Sequence, residues 1–137
     1  MSAVVIKAQV NKGQTVLVVD DFDDTRQLMR LWFEKMGYHV VEAENGKEAV
    51  RVAQQESPAL IIMDIEMPVL DGLSAARLIR DEEKLRDVPI IAVSAYGREQ
   101  FRAKALAAGC SEYVSTPFEP DELKKLIDSL QKSTHGQ

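Results

Sequence analysis

Three aspartates come directly after two wholly apolar segments of the chain. Asp20 and Asp21 follow residues 15–19, and Asp64 follows residues 59–63. Apolar runs without polar alternation are typical of strands that are buried on both faces of a parallel sheet. The carboxyl ends of such strands are where open α/β sheets bind their ligands. The spacing therefore predicts a ligand site built from these carboxylates.

Carboxylates brought together repel one another unless a cation lies among them. Oxygen ligands without neighbouring cysteine or paired histidine favour a hard ion, and Mg²⁺ suits an open site that water and a phosphoryl oxygen complete. An aspartate beside such an ion can attack phosphorus and form an aspartyl phosphate. Ser94, which follows a later apolar run, can donate a hydrogen bond to phosphoryl oxygens. The alternative is that the acids only cap turns.

Strands and helices are predicted to alternate five times. Alternation with short connections predicts an α/β fold, a parallel sheet with helices on both faces and right-handed crossovers. The strand ends that carry Asp20, Asp21, Asp64, Ser94 and Thr116 then lie along one edge of the sheet. Helix signals include an N-cap at Asp23 and a capping box at Asn45 and Glu48. The predicted strands are 15–19, 38–42, 59–63, 88–93 and 113–115, and the predicted helices begin near residues 23, 45, 71, 98 and 120.

Composition restricts the class of protein. The 137 residues fit one domain, and the net charge of −5 argues against direct nucleic-acid binding. No apolar run reaches the length of a membrane span, and the N-terminus lacks a signal-peptide pattern. One cysteine, Cys110, excludes an internal disulfide and favours a reducing, cytoplasmic location. We expect an N-terminal extension at 1–13, a single domain at 14–132 and a C-terminal tail at 133–137. Within the domain, residues 81–87 are expected to form a solvated charged loop.

Four blocks of sequence, taken together, resemble the signatures of bacterial response-regulator receiver domains, the phosphoacceptor modules of two-component systems and phosphorelays. The blocks are residues 18–21, 63–72, 93–95 and 113–118, and the similarity covers residues 14–131. The resemblance implies a flavodoxin-like, doubly wound sheet of five strands in the order 2-1-3-4-5 with five helices, as in chemotaxis-type single-domain receivers. It also implies a signalling domain that catalyses only its own phosphotransfer and dephosphorylation.

The resemblance assigns a role to each acid. Asp64 would be the phosphoacceptor, which a histidine kinase or a histidine phosphotransfer protein phosphorylates. Asp21 and Asp64 would bind Mg²⁺ directly, Asp20 through water, and Glu66 through its backbone carbonyl. These roles are expectations from the resemblance.

The resemblance also implies a switch and a signalling surface. Ser94 would move toward the phosphoryl group, and Tyr113 would turn inward after it. Ala95 would leave space for the phosphodonor and the attacking water, with Glu66 and Tyr96 beside that entrance. A downstream effector protein would bind the face made by the fourth helix, the fifth strand and the fifth helix, on a monomer or weak dimer.

One position departs from the family pattern. Receivers nearly always place a lysine before the proline that follows the last strand, and this chain has Thr116 there. A threonine carries no charge, so the loss of a charge-assisted hydrogen bond would weaken the switch about tenfold or more. Arg98 or Lys104 could reach the site instead. The Thr116-Pro117 bond is expected to be cis, as in the family.

Alternatives to a phosphoacceptor stay open at this point. Thr116 favours a pseudo-receiver, a protein-interaction module that keeps the fold without phosphorylation. A magnesium-dependent hydrolase of the dehalogenase type also uses an aspartate at a strand end. Such enzymes need a second acid two residues later that points into the site, and Glu66 is an imperfect match. The sequence also leaves open whether the chain acts alone or is part of a larger protein.

Overall fold

The computed structural model describes residues 13–67, 69–95 and 99–135, and the side chains of 131–135 are not included. Most of the expected N-terminal extension lies outside these residues. Strands and helices alternate five times, in agreement with the sequence. The elements are β1 (Thr15–Val19), α1 (Asp23–Lys35), β2 (His39–Ala43), α2 (Gly46–Glu56), β3 (Leu60–Asp64), α3 (Gly72–Asp81), β4 (Ile90–Ala95), α4 (Phe101–Ala107), β5 (Glu112–Thr116) and α5 (Pro120–His135).

The five strands form one parallel sheet in the order β2-β1-β3-β4-β5. This confirms the flavodoxin-like, doubly wound fold that the resemblance implied. The register pairs Asp64 with Val93 and Ala95 with Thr116, so the last residues of β3, β4 and β5 lie side by side. Asp20 continues the ladder of β1, because its N–H donates to the carbonyl of Ala43 at 3.2 Å.

The apolar core has two halves, one on each face of the sheet. Alternate residues of β1 point to opposite halves: Leu17 packs with the helices α2, α3 and α4, whereas Val16 packs with α1 and α5. Phe33 of α1 and Leu123 of α5 are fully buried, and each such side chain contributes about 1.5–3 kcal/mol. Burial of both faces explains why the central strands lack polar alternation.

Of the two predicted helix caps, one is confirmed and one is wrong. Asn45 accepts a hydrogen bond from the N–H of Glu48 at 2.8 Å, and Glu48 accepts one from the N–H of Glu44 at 2.9 Å, which confirms the capping box. Asp71 caps α3 in the same way. The N-cap prediction for Asp23 was wrong, because Phe22 is the N-cap and Asp23 begins the first turn of α1. Its carboxylate bonds to Arg26 instead.

The bounds of β1 and the starts of α1 and α5 agree with the prediction, whereas other boundaries differ by one to three residues. The strand β4 begins at Ile90, since residues 88–89 precede the ladder, and α4 begins at Phe101 rather than near residue 98. The backbone of α5 is helical to His135, which lies within the expected C-terminal tail. None of the helices in the described part of the chain is long and apolar enough to cross a membrane.

The connection at 81–87 is not simply a solvated loop. It contains a short 3-10 turn, Glu83–Leu85, and the side chain of Leu85 is buried in the core. The guanidinium of Arg80 holds this region by donating to the carbonyl oxygens of Leu85 at 3.0 Å and Gly109 at 2.8 Å. It also donates to the hydroxyl of Ser111, 3.4 Å away, just before β5. These bonds tie together the connections at the amino ends of β4 and β5.

Candidate metal-binding and phosphoacceptor site

A cleft of about 450 Å³ opens at the carboxyl edge of the sheet. The ends of four strands or their following loops contribute to it, as the sequence predicted. Both apolar wall and polar groups are present, so the cleft can hold a small charged ligand. Its lining residues are Asp20, Asp21, Phe22, Thr25, Asp64, Glu66, Val93, Ser94, Ala95 and Thr116.

The structure brings together the three aspartates that the sequence singled out. One carboxylate oxygen from each of Asp20, Asp21 and Asp64 lies within 4.8 Å of the others. Asp20 is buried, Asp64 is half-buried and Asp21 is exposed. The cluster is therefore open on the Asp21 side and closed by protein beneath.

Asp64 is a half-buried carboxylate that lies among other carboxylates. Its pKa is raised from the ordinary value of 3.8 to about 7, mainly by burial and also by the negative charges of Asp20, Asp21 and Glu66. A hydrogen bond of 2.8 Å from the N–H of Glu66 to Oδ1 acts in the opposite direction. In residues 13–67, 69–95 and 99–130, no lysine or arginine forms an ion pair with Asp64.

Asp20 shares this environment. Burial raises the pKa of Asp20, and the hydrogen bond from the N–H of Phe22 at 2.9 Å partly offsets the effect. Among the described residues, no lysine or arginine forms an ion pair with the side chains of this cluster. Because the available ligands are all carboxylate oxygens, the cluster fits a hard divalent cation such as Mg²⁺. Cys110 is buried elsewhere in the core and offers no competing ligand.

Arg26 supports the loop after β1, a role that was not predicted from the sequence. Its guanidinium donates to the backbone carbonyl of Asp20 at 2.7 Å and to Glu42 at 2.9 Å, and it also bonds to Asp23. Arg30 bonds to Glu42 as well. Only the three-residue spacing of Asp23 and Arg26 was visible in the sequence, and that spacing does not reveal contacts to β1 and β2.

Ser94 lies at the end of β4 on the opposite side of the cleft. Its side chain is buried, and its hydroxyl donates to Oε2 of Glu66 at 3.2 Å. The N–H of Ala95 donates to the same oxygen at 3.4 Å. The side chain of Glu66 therefore takes part in the site, whereas the sequence analysis assigned a direct contact only to its backbone carbonyl.

Thr116 closes the cleft next to Ser94. Its hydroxyl donates to the carbonyl oxygen of Ser94 at 3.3 Å, and the Thr116-Pro117 bond is cis, as expected. The ammonium of Lys104 lies 5.5 Å from the ring centroid of Phe101, which does not support a role in place of the family lysine. Arg98 and Tyr96, the other candidates near the entrance, lie outside the described residues.

Tyr113 is buried in β5, with 3% of its surface exposed. Its ring lies beneath the guanidinium of Arg102 from α4, 5.0 Å from the ring centroid. The ring is therefore buried in the contact between α4 and β5.

Gly72 allows α3 to begin directly against the end of β3. A Cβ atom at this position would lie 2.5 Å from the Cα of Ile65 and 2.6 Å from the carbonyl oxygen of Asp64. No real side chain tolerates such contacts with backbone, so glycine is required where the turn after β3 folds back. The geometry of Asp64 depends on this close approach.

An apolar groove of about 320 Å³ adjoins the acidic cleft. Thr25 and Thr116 line both, so the two are continuous. Leu28 of α1 contributes to this groove, and 68% of its surface is exposed. The buried residues of α1 are Met29 and Phe33. The groove is lined by Thr25, Leu28, Met29, Trp32, Thr116, Pro117, Phe118 and Pro120.

Known proteins share both this sequence and this fold. The chain is 40% identical over 112 residues to an uncharacterized 14.6 kDa protein of Leptolyngbya boryana, covering 82% of this chain and 86% of that one. Several further relatives are described as transcriptional regulators, and the chain spans about half of their length, between 47% and 53%.

Solved structures give the same result. The receiver domain of sensor histidine kinase PA1611 from Pseudomonas aeruginosa, with magnesium in its active-site cleft, is 36% identical with a TM-score of 0.80, over 88% of this chain and 98% of that one. The receiver domain of Ssk1 from Saccharomyces cerevisiae, crystallised with the histidine phosphotransfer protein Ypd1, is similar at 31% identity and a TM-score of 0.80, over 90% and 92% of the chains.

The family model for the response regulator receiver domain matches residues 16–128. This range contains β1 from Val16 onward, the other four strands, the acidic cluster and the cleft. The chain belongs to the response regulator receiver domains.

Proposed function

We propose that Asp64 is a phosphoacceptor, and that its phosphorylation in the presence of Mg²⁺ switches a protein-binding face of this receiver domain. The observation that carries the proposal is the convergence of Asp20, Asp21 and Asp64 within 4.8 Å at one edge of the sheet. Carboxylates this close together repel one another, and a bound cation would relieve that repulsion. A cation beside a carboxylate also favours phosphoryl transfer. Asp21 and Asp64 would hold the ion directly, Asp20 through water, and Glu66 through its backbone carbonyl.

Bound Mg²⁺ would neutralise the negative charge that develops on the transferring phosphoryl group. One carboxylate oxygen of Asp64 attacks phosphorus, and the bond from phosphorus to the donor breaks with its electron pair. The N–H of Glu66, which already donates to Oδ1 of Asp64, keeps the carboxylate oriented. Ser94 then donates its hydroxyl hydrogen to a phosphoryl oxygen from the opposite wall of the cleft.

The apolar groove beside the cleft supports a protein phosphodonor, a histidine kinase or a histidine phosphotransfer protein. An apolar surface on such a donor would bury Leu28 and Trp32 and bring its phosphohistidine over Asp64, because the groove and the cleft share Thr25 and Thr116. We expect Leu28→Glu to slow transfer from a phosphotransfer protein about tenfold or more, since it places a charge in the contact. Phosphorylation by acetyl phosphate should be unchanged in this variant.

The signalling face would be formed by α4, β5 and α5, where a downstream effector protein binds. The position of Tyr113 supports this, because its ring is packed under Arg102 at the junction of α4 and β5. A shift of Ser94 toward a phosphoryl group would free space on this side of β4, and Tyr113 is the aromatic side chain next to that space in β5. The proposal is that the domain signals through this face and does not itself bind nucleic acid.

Acetyl phosphate and Mg²⁺, followed by intact-mass measurement, test the proposal. Wild-type protein should gain one phosphoryl group, and Asp64→Asn should gain none. Asp128→Asn, which removes an exposed acid on α5, is the matched control and should be phosphorylated like the wild type. An adduct that persists in Asp64→Asn would contradict the assignment.

A pseudo-receiver is the second candidate, and Thr116 favours it. The side chain of Thr116 is neutral, so it supplies no positive charge to a phosphoryl group. Its hydroxyl already donates to the carbonyl of Ser94. Under this proposal an effector would bind wild type and Asp64→Ala equally, and acetyl phosphate would give no adduct. Equal binding together with an absent adduct would favour the interaction module over the phosphorylated switch.

A further inference from the structure

The side chain of Glu66 reaches across the mouth of the cleft to the end of β4. Its Oε2 atom accepts from the hydroxyl of Ser94 at 3.2 Å and from the N–H of Ala95 at 3.4 Å. Ser94 is 2% exposed, whereas Glu66 lies at the surface. The exposed carboxylate of Glu66 thus accepts hydrogen bonds from two donors at the end of β4. One of these donors is the hydroxyl of the buried Ser94.

These donors face the same cleft as Asp64. A phosphoryl group on Asp64 would present anionic oxygens to that cleft, which is the same kind of acceptor that Glu66 now provides. Two anions cannot share the hydroxyl of Ser94 at low energetic cost, because their charges repel at short distance in a partly buried site. Occupation by one therefore opposes occupation by the other.

The opposite side of Ser94 is also held. Thr116 donates to its backbone carbonyl at 3.3 Å, and threonine brings no charge that could offset a second anion. The position that could carry a cation therefore does not help a phosphoryl group to compete with Glu66.

We propose that Glu66 is a tethered competitor of the phosphoryl group: its carboxylate holds Ser94 and the N–H of Ala95 in the unphosphorylated chain, and phosphorylation of Asp64 displaces it. This inference rests on the proposed phosphoacceptor function and makes Glu66 a positioning residue for Ser94. Because the phosphoryl group must displace the charged carboxylate of Glu66, its own binding to Ser94 and Ala95 is weakened. Removing the charge of Glu66 should therefore strengthen that binding.

Beryllofluoride, which mimics the phosphoryl group on an aspartate, is the probe for this competition. We expect Glu66→Gln to bind beryllofluoride about tenfold more tightly than wild type at saturating Mg²⁺, since a charge-assisted hydrogen bond exceeds a neutral one by roughly that factor. Glu66→Ala, which also removes the acceptor, should bind at least as tightly. NMR titration of the Ala95 amide measures the affinity.

Two controls separate the competition from general effects. Glu56→Gln removes an exposed glutamate at the end of α2 and makes the same change in net charge, so it should leave the affinity at the wild-type value. Magnesium affinity is measured for each variant, so that saturation is known. In Ser94→Ala, the further change Glu66→Gln should give a clearly smaller gain, because one of the contested donors is absent.

Ligand-free spectra give a readout that does not depend on phosphorylation. The amide signals of Ser94 and Ala95 should shift in Glu66→Gln and stay in place in Glu56→Gln. Wild-type binding that Glu66→Gln leaves unchanged or weakens would overturn the inference and leave the phosphoacceptor proposal standing. Absence of beryllofluoride binding in wild type and all variants would overturn both.

Discussion

The hydroxyl of Thr116 donates a hydrogen bond to the backbone carbonyl of Ser94, 3.3 Å away, where β4 and β5 end side by side. This contact occupies the position from which most receivers direct a lysine toward the phosphoacceptor. The cleft therefore has a neutral group on its fifth-strand side and carboxylates on its first- and third-strand sides. Its charge balance depends on what it binds.

Thr116→Lys should lower the pKa of Asp64 from about 7 by roughly one unit or more, because an ammonium in the same cleft favours the ionised carboxylate. Carboxyl ¹³C NMR during a pH titration without Mg²⁺ measures this pKa. Thr116→Val is the control, since it removes the hydrogen bond to Ser94 without adding charge. Equal shifts in both variants would attribute the change to the lost hydrogen bond.

Asp64→Asn should stabilise the metal-free fold at neutral and higher pH. The folded pKa of Asp64 lies above its ordinary value of 3.8, so the folded protein keeps a proton that the unfolded chain has lost. The free energy of unfolding of the wild type therefore falls as pH rises from about 4 to about 7.

The asparagine variant should lack this decline and exceed the wild type by about 1–2 kcal/mol at pH 8, after allowance for solvent screening. The two proteins should be nearly equal at pH 4. Urea unfolding at several pH values measures the difference. Asp128→Asn, on the exposed face of α5, should follow the wild type, and parallel curves for wild type and Asp64→Asn would contradict the prediction.

Magnesium should raise the thermal stability of the wild type, because it binds the folded cluster and not the unfolded chain. At a concentration one hundred times the dissociation constant the gain is about 2.7 kcal/mol. Asp21→Asn and Asp64→Asn should lose most of this gain, while Asp24→Asn, an exposed neighbour in α1, should keep it. A thermal melt with and without Mg²⁺ distinguishes them, and equal gains in all variants would place the ion elsewhere.

Gly72→Ala should lower both stability and magnesium affinity. The added Cβ would meet the backbone of Ile65 at 2.5 Å and the carbonyl oxygen of Asp64 at 2.6 Å, and overpacking of this kind costs about 1–3 kcal/mol or more. Gly13→Ala is a useful comparison, because its Cβ would meet no atom within 4 Å although φ is +88°. It should lose some stability by backbone strain and bind Mg²⁺ normally.

Arg26→Met should destabilise the protein by about 1–3 kcal/mol, since it leaves the carbonyl of Asp20 and part of the Glu42 carboxylate without their donor. The side chain of Arg26 is only 11% exposed, whereas that of Arg30 is 45% exposed. Arg30→Met, which removes another partner of Glu42, should therefore cost less. Chemical denaturation of the two variants compares them, and an equal loss would deny Arg26 its special position.

The sequence predicted the sheet well because the strongest signals belong to buried elements. Residues 16–19 and 59–63 are apolar throughout, since both faces of β1 and β3 are covered by helices. The acids that follow them are adjacent because β1 and β3 are neighbours in the sheet. Resemblance, rather than periodicity, supplied the strand order.

Contacts between distant side chains were not predictable in the same way. The hydrogen bonds from Arg26 to β1 and β2, and from Ser94 to the side chain of Glu66, join elements whose separation is set by the folded backbone. The N-cap of α1 was misassigned because Asp23, a good N-cap by type, is the first residue of the helix and bonds to Arg26 one turn later. Leu85 was hidden within a charged segment, where composition outweighed its single apolar side chain.

The hydrogen bonds of Arg80 hold the amino ends of β4 and β5 more rigidly than their carboxyl ends are held. At the amino ends of β4 and β5, one guanidinium joins the connection before β4 to the connection before β5. The opposite edge is held near Ser94 by two hydroxyl contacts at 3.2–3.3 Å. We therefore expect the amino ends of β4 and β5 to stay in place when Asp64 is modified. Their carboxyl ends, near the acidic cluster, should be the parts that move.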